Sequence, residues 1–209
     1  MEFLKIETIA INLLGYPISY VELIATVFGV VSVYFASKEN ILTWATGLIN
    51  EIFLFILFFQ IQLYADMFLQ LYFFIVTLYG WYTWKEGLGG FKISQLHLKT
   101  RISIGVGLFA GSLISGLFFA NIHILLPQFF KIKAAFPYTD SVVLVLSIVA
   151  TFMLAKKKIE TWYLWIAIDI ICMVLYFKKG VFFLSLEYFV FLWLAIYGYY
   201  QWRNKLKHD

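Results

Sequence analysis

Two long apolar segments each carry an acid seven residues after a tryptophan: Trp44 with Glu51, and Trp162 with Asp169. Seven residues are about two turns of an α-helix, so each pair shares one helical face. Gly47 and Asn50 join that face in the first segment, and Trp165 joins it in the second. A carboxylate at the centre of a lipid-spanning helix costs about 2.5–3.5 kcal/mol on insertion scales, so each acid needs a role. Indole faces attract cations and stack on flat rings. A nearby carboxylate balances positive charge, and Asn50 offers hydrogen bonds to hydroxyls or an amide. The constellation suits a flat, cationic, aromatic ligand.

Each of these residues also has a plainer reading. Trp44 and Trp162 lie near helix ends, where tryptophan is enriched as an interfacial belt. Trp165, one turn deeper, fits a site better. Glu51 and Asp169 could instead pair with a lysine or cap a neighbouring helix. A second tier follows in Asp66, Gln70 and Tyr72, and in Ser185, Glu187 and Tyr188. Gln70 and Glu187 lie deep enough to require a partner or a polar cavity. Asp66, near an end, reads as solvated or as a cap. The candidate substrate-binding set is therefore Trp44, Asn50, Glu51, Gln70, Trp162, Trp165, Asp169, Glu187 and Tyr188. The closing aromatics Tyr79, Trp81, Tyr82, Trp84, Tyr197, Tyr199, Tyr200 and Trp202 read mainly as belt residues.

Other chemistries find little support. His97, His123 and His208 have no metal-ligand spacing with another His or Cys, and no metal or cofactor is expected. No Gly-rich loop ends in GKS or GKT, so no phosphate loop is present. No Ser or Cys has a nearby His to activate it. The single Cys172 cannot form an internal disulfide and reads as a small packing residue. The expectation is not an enzyme.

These residues must be held by membrane helices. Of 209 residues, 63% are hydrophobic and 13% charged, against about 45–50% and about 25% in a soluble globule. Seven spans are expected: Tyr20–Ser37, Ile41–Phe59, Ala65–Trp84, Arg101–Ala120, Thr139–Ala155, Thr161–Phe177 and Val181–Trp202. The stretch Thr8–Leu14 is too short to span and reads as lying along the interface. The N-terminus lacks the features of a cleaved signal peptide. The connections are too short for a soluble catalytic domain. Most basic residues fall on one side: Lys38, Lys85, Lys92, Lys99, Arg101, Lys156, Lys157, Lys158, Arg203, Lys205 and Lys207. Lys5, Lys131, Lys133, Lys178 and Lys179 fall on the other. The first side is expected to be cytoplasmic, with the N-terminus outside and the C-terminus inside.

The chain also matches itself at an offset of 118 residues. Thr43-Trp44 meets Thr161-Trp162, Glu51 meets Asp169, Gln70 meets Tyr188, Tyr79-Gly80 meets Tyr197-Gly198, and Trp84 meets Trp202. The unit is three spans. The extra span between the copies makes them parallel, a 3+1+3 transporter architecture with a site near the midplane. The expected organisation is an interfacial segment over 1–19, a first three-helix repeat over 20–84, and a linker over 85–138 with its helix at 101–120. A second repeat over 139–202 and a cytoplasmic tail over 203–209 complete it. Gly107 and Gly111 in the linker helix form a GxxxG pattern, which suits close packing within the chain or between chains.

Several motifs in combination resemble the PnuC family of vitamin transporters. They are Trp162-Tyr-Leu-Trp165-Ile-Ala-Ile-Asp169, Gly180-Val-Phe-Phe-Leu-Ser-Leu-Glu187-Tyr188, Lys38-Glu-Asn-Ile-Leu-Thr-Trp44, Gly47-Leu-Ile-Asn50, Phe59-Gln-Ile-Gln-Leu-Tyr64-Ala-Asp66, Leu69-Gln70, Tyr79-Gly-Trp-Tyr82 and Asp140. The resemblance runs from Tyr20 to Trp202. It implies an all-α integral membrane fold similar to the SWEET sugar transporters. It also implies facilitated diffusion of nicotinamide riboside, retained by phosphorylation in the cytoplasm, and a homotrimer in the inner membrane. The family's tryptophan motif falls on Trp162 and Trp165, and its polar partner on Asp169, where some members carry Asn. Relatives in the same superfamily take thiamine or nucleosides, and thiamine also has a cationic aromatic ring. Proton-coupled uptake through Asp169 or Glu51, and a non-transporting membrane scaffold, are the alternatives to a uniporter.

Overall fold

The computed structural model describes residues 2–13, 15–60, 64–85, 92–128, 136–178 and 182–208. Lys131, Lys133 and Lys179, used above to weigh charge between the two sides, lie outside them, as does the side chain of Asp66. Seven helices of 18 residues or more account for most of the chain: α1 Tyr20–Ser37, α2 Leu42–Gln60, α3 Tyr64–Trp84, α4 Leu98–Ala120, α6 Pro137–Ala155, α7 Thr161–Lys178 and α8 Phe182–His208. A one-turn helix, α5 Ile122–Leu125, follows α4.

The first twenty residues depart from the all-α expectation. β1 Ile9–Leu13 pairs antiparallel with β2 Tyr16–Ser19. Alternating apolar residues and a tight turn at Gly15, with φ +84°, favour a hairpin here. Gln60, at the end of α2, holds the chain just before it: its amide accepts from the Ile6 N–H and donates to the Leu4 carbonyl. Ser19 then opens α1 as a capping box with Glu22. At the other end of the chain, α8 continues through the segment read as a tail, to His208.

α1, α2, α4, α6 and α7 are long and apolar enough to cross a membrane. α3 and α8, at 21 and 27 residues, are long enough but rich in Tyr and Trp. The outward surface is greasy throughout; Phe109 on α4 is 74% exposed and Ile75 on α3 is 66%. A patch this large needs lipid or protein against it. α4 packs against α6, with Gly111 facing Val145 and Gly116 facing Tyr138. Gly111 therefore serves packing within the chain, and Gly107 meets nothing.

The other six long helices pack in a ring: α1 on α2, α2 on α3, α3 on α6, α6 on α7, α7 on α8, and α8 back on α1. The 118-residue offset maps this ring onto itself. α1 and α6 end in the same turn. Glu39 N–H donates to Ala36 O and Asn40 N–H to Phe35 O; Lys157 N–H donates to Leu154 O and Lys158 N–H to Met153 O. Glu39 and Lys157, the equivalent residues, both sit in the left-handed region, at φ 56° and 51°. Thr43 donates to the Ser32 carbonyl, and its equivalent Thr161 donates to the Ala150 carbonyl, each at 2.9 Å.

The two turns also meet. Lys157 Nζ lies 2.6 Å from Glu39 Oε1, and Lys205 Nζ lies 2.8 Å from Oε2. The lysine run thus does more than anchor a membrane face. Lys157 is paired, Lys158 donates to Ser94 Oγ, and Lys156 lies over the Phe152 ring. The segment before α4 is fastened to the same turn by Ser94 N–H to Lys157 O and Ile159 N–H to Ser94 O. Glu160 extends this fastening by pairing with Arg101 at 2.7 Å.

Partial burial pushes the Glu39 carboxyl up, but the hydrogen bonds and charges of Lys157 and Lys205 outweigh it and hold the group below its ordinary value of 4.5. A group depressed in the folded state contributes stability above its unfolded pKa and loses it as pH falls through the folded one. Glu39→Gln is therefore expected to lower the melting temperature in detergent at pH 7. The gap to the parent protein should close as pH drops below about 4.5. A gap independent of pH would show that the ion pairs are not its source.

Candidate functional site

The site is built upward from a floor of four indoles. Trp44 meets Trp84 edge to face, with ring centroids 5.1 Å apart and planes at 88°. Trp162 meets Trp202 at 5.5 Å and 89°. Trp84 and Trp202 touch each other at 6.1 Å across the centre. All four are buried. Trp44 lies on Gly80 and Trp162 on Gly198; a Cβ on either glycine would fall 2.3 or 2.5 Å from the indole. The inner pair lock the arrangement by crossing it: Trp84 Nε1–H donates to Ala155 O, and Trp202 Nε1–H to Ala36 O.

This corrects two readings. Trp84 and Trp202 are core residues of the bundle, not belt residues. Trp44 and Trp162 are neither belt residues nor free platforms, since their rings are packed on glycine and on a second indole. Only their Nε1–H groups are without a partner among the described residues. Tyr82 and Tyr200, well exposed, keep the belt reading.

Two turns beyond the floor, about 10 Å along the axis, lie the acids. Glu51 is 7% exposed and Asp169 4%. The offset places them at the same level, but their surroundings differ. Thr77 on α3 donates to Glu51 Oε1. Glu51 Oε2 is buried without a partner among the described residues. The equivalent of Thr77 on α8 is Ala195, which has no hydroxyl to give. No described side chain donates a hydrogen bond to the Asp169 carboxyl. The second half thus holds an acid with no donor of its own.

The remaining candidates divide in the same way. Glu51 and Gln70 line a cleft of about 210 Å³ between α2 and α3, with Ile52, Phe55, Ile56, Leu71 and Phe74. Trp165 packs between the indole floor and a smaller core of Ala150, Ile168 and Cys172. Tyr188 packs on that smaller core and stacks on Tyr176 at 5.5 Å, with planes at 9°. Asn50 is committed elsewhere: its amide donates to Ala25 O at 2.7 Å and seats α2 against α1 at Gly29. Glu187 on α8 faces Thr26 on α1. Thr77 was not singled out in the sequence. Its signal was positional, a threonine at the level where the matching helix carries alanine.

The side chains within the ring offer acids, amides, hydroxyls and aromatic rings. Lys and Arg occur in the ring helices only near the ends of α7 and α8. Such an interior can receive a cation and is ill suited to an anion. Replacing Thr77 by Val would leave a buried carboxylate without its donor, at a cost of about 1–3 kcal/mol. Gly80→Ala would force the indole floor apart and destabilise by about 1–3 kcal/mol. Thermal melts of both variants in detergent are expected to fall, with Thr77→Ser keeping the parent value.

The chain is 32% identical over 99% of its length, and 96% of the other's, to the nicotinamide riboside transporter PnuC of Escherichia coli K12. It is 22% identical to the riboflavin/roseoflavin transporter RibM of Streptomyces davaonensis, over 96% of this chain and 92% of that one. The crystal structure of the vitamin B3 transporter PnuC superposes with a TM-score of 0.69 at 25% identity, covering 90% of this chain and 83% of that chain. Residues 19–204 match the family described as nicotinamide mononucleotide transporter, and the chain belongs to that family of membrane transporters.

Proposed function

We propose that the chain carries nicotinamide riboside across the inner membrane by facilitated diffusion, without altering it chemically. The observation that carries this reading is the charge of the interior: acids at the level of Glu51 and Asp169, and no basic side chain between the ends of the ring helices. Nicotinamide riboside has a flat cationic ring, hydroxyls and an amide. The mononucleotide adds a phosphate, which would need a counter-charge that these helices lack. Riboflavin is flat but uncharged, and makes no use of a buried acid. Thiamine shares the cationic ring and is the closest rival.

In this reading Trp165 borders the ring pocket and Asp169, having no donor of its own, balances the charge. Glu51, Gln70 and Tyr188 offer hydrogen bonds to the ribose or amide. Seven helices span the bilayer as two parallel three-helix units, 20–84 and 139–202, joined through the linker 85–138 in a SWEET-like 3+1+3 order. The Lys-rich face is cytoplasmic and the N-terminus is outside. Three chains assemble, with the exposed face of α4 available for contact between chains or with lipid.

Calorimetric titration of the purified protein tests the reading, with nicotinamide riboside, nicotinamide mononucleotide, thiamine and riboflavin in parallel. The riboside alone is expected to bind tightly. Trp165→Ala should weaken it by tenfold or more, as the loss of a desolvated cation–π contact of roughly 2 kcal/mol requires. Asp169→Leu should weaken the cation and leave uncharged analogues unaffected. Equal binding of the mononucleotide would refute the charge argument. Preferential thiamine binding would retain the pocket and replace the substrate.

A further inference from the structure

The hydrogen bonds and ion pairs that join the first half of the ring to the second are unevenly distributed. At the indole floor they are dense: Trp84 to Ala155 O, Thr83 to Ala155 O, Trp202 to Ala36 O, Lys38 to Tyr197, and Glu39 to both Lys157 and Lys205. Toward the other end, the described residues add two, Tyr72 to Ile148 O at 3.0 Å and Thr26 to the Glu187 carboxyl. The other polar contacts at that end stay within a half, as with Gln60 to Leu4 and Ser185 to Met173.

The floor itself divides along the same seam. Each half keeps its own edge-to-face pair, Trp44 with Trp84 and Trp162 with Trp202, seated on its own glycine. These pairs can move as units. Parting the halves breaks the wider Trp84–Trp202 contact, the hydrogen bonds across it, the Lys38–Tyr197 and Tyr79–Phe152 contacts, and the bonds of Glu39. Lys157 is held twice, by Glu39 and by the Trp84 ring 4.8 Å away. Glu39, on the first half, is the centre of the seam, because its carboxylate pairs with two lysines of the second half across it.

We infer that Glu39, Lys157 and Lys205 form a latch that holds the Lys-rich end of the transporter shut, and that this end opens by separation of the two indole pairs along the Trp84–Trp202 seam. The acids at Glu51 and Asp169 then lie behind a closed gate, about two helical turns away. Removing the Glu39 charge breaks both ion pairs across the seam, so it should favour the open end more than removing Lys157, which leaves the Glu39–Lys205 pair in place.

The test reads opening directly. Thr83, buried in the seam, is replaced by Cys in a Cys172→Ala background. A charged, membrane-impermeant thiol reagent is then applied to the Lys-rich face of reconstituted protein. Glu39→Gln is expected to speed labelling at Thr83→Cys by about tenfold, and Lys157→Gln by less. Unchanged labelling in Glu39→Gln, or a larger effect from Lys157→Gln, would overturn the latch. A second variant does not depend on destabilising the closed end. Glu39→Cys with Lys157→Cys, bridged by a short bifunctional thiol reagent, should retain riboside binding and lose flux, and should regain flux on cleaving the bridge. Undiminished flux through the bridged protein would also overturn it. The second arm rests on the proposed transport function, but the labelling arm needs no ligand. A protein that gates as described and ignores the riboside would discard the substrate and keep the latch.

Discussion

A Cβ on Gly80 would stand 2.3 Å from the indole of Trp44, and a Cβ on Gly198 would stand 2.5 Å from that of Trp162. These two contacts set the spacing of α2 against α3 and of α7 against α8. In lipid, helices gain little from hydrophobic exclusion, and association relies on close packing and hydrogen bonds. A glycine opposite a large flat ring provides the first, and the edge of a second indole extends it. The second indole then spends its N–H on a carbonyl of the opposite half. One packing motif, used twice, therefore fixes each unit internally and joins the two units to each other.

Above this floor the two halves have diverged where chemistry would be done. Glu51 has Thr77, whereas Asp169 has Ala195 in the matching place. Gly47, pressed near Ser32 and Thr77, corresponds to Trp165, and Gln70 corresponds to Tyr188. Asn50, which ties α2 to Ala25 of α1, corresponds to the buried Ile168. The first half thus commits its polar groups to holding helices in place. The second half replaces them with aromatic rings and leaves its acid unopposed. A duplicated scaffold needs symmetry at the seam where its halves move, but a single small solute has no such symmetry, and the level of the acids reflects that.

How much of this could be read from residues alone depended on the distance over which each feature is encoded. The long helices were legible because apolar runs of about twenty residues carry their own signal. The 118-residue match was legible because Tyr-Gly and the closing Trp recur with the same spacing. The fate of the tryptophans was not, since a belt residue and a core residue both sit near helix ends with the same neighbours in sequence. Gly80 and Gly198, each one turn before a buried Trp, were the available signal. The freedom of Asp169 is decided by Ala195, on another helix and 26 positions away, and no local pattern announces it. The hairpin that begins at Ile9–Leu13 was left unread for the opposite reason: its apolar alternation and Gly15 are local, but length alone was used to place the stretch at the interface.

The turns at Glu39 and Lys157 show how the seam constrains sequence. Both residues adopt left-handed backbone angles at helix C-termini, positions where glycine is the usual occupant. A side chain there costs roughly 1–2 kcal/mol. Glycine would remove that strain at both turns, and it would also remove both charges. The two strained residues are related by the internal offset of 118 and are bonded to each other at 2.6 Å. Equivalent positions meet here, and like charges at such a place would repel. The duplicated chain solves this by carrying opposite charges at its two copies of one position, and the resulting ion pair offsets strain that neither turn would bear on its own account.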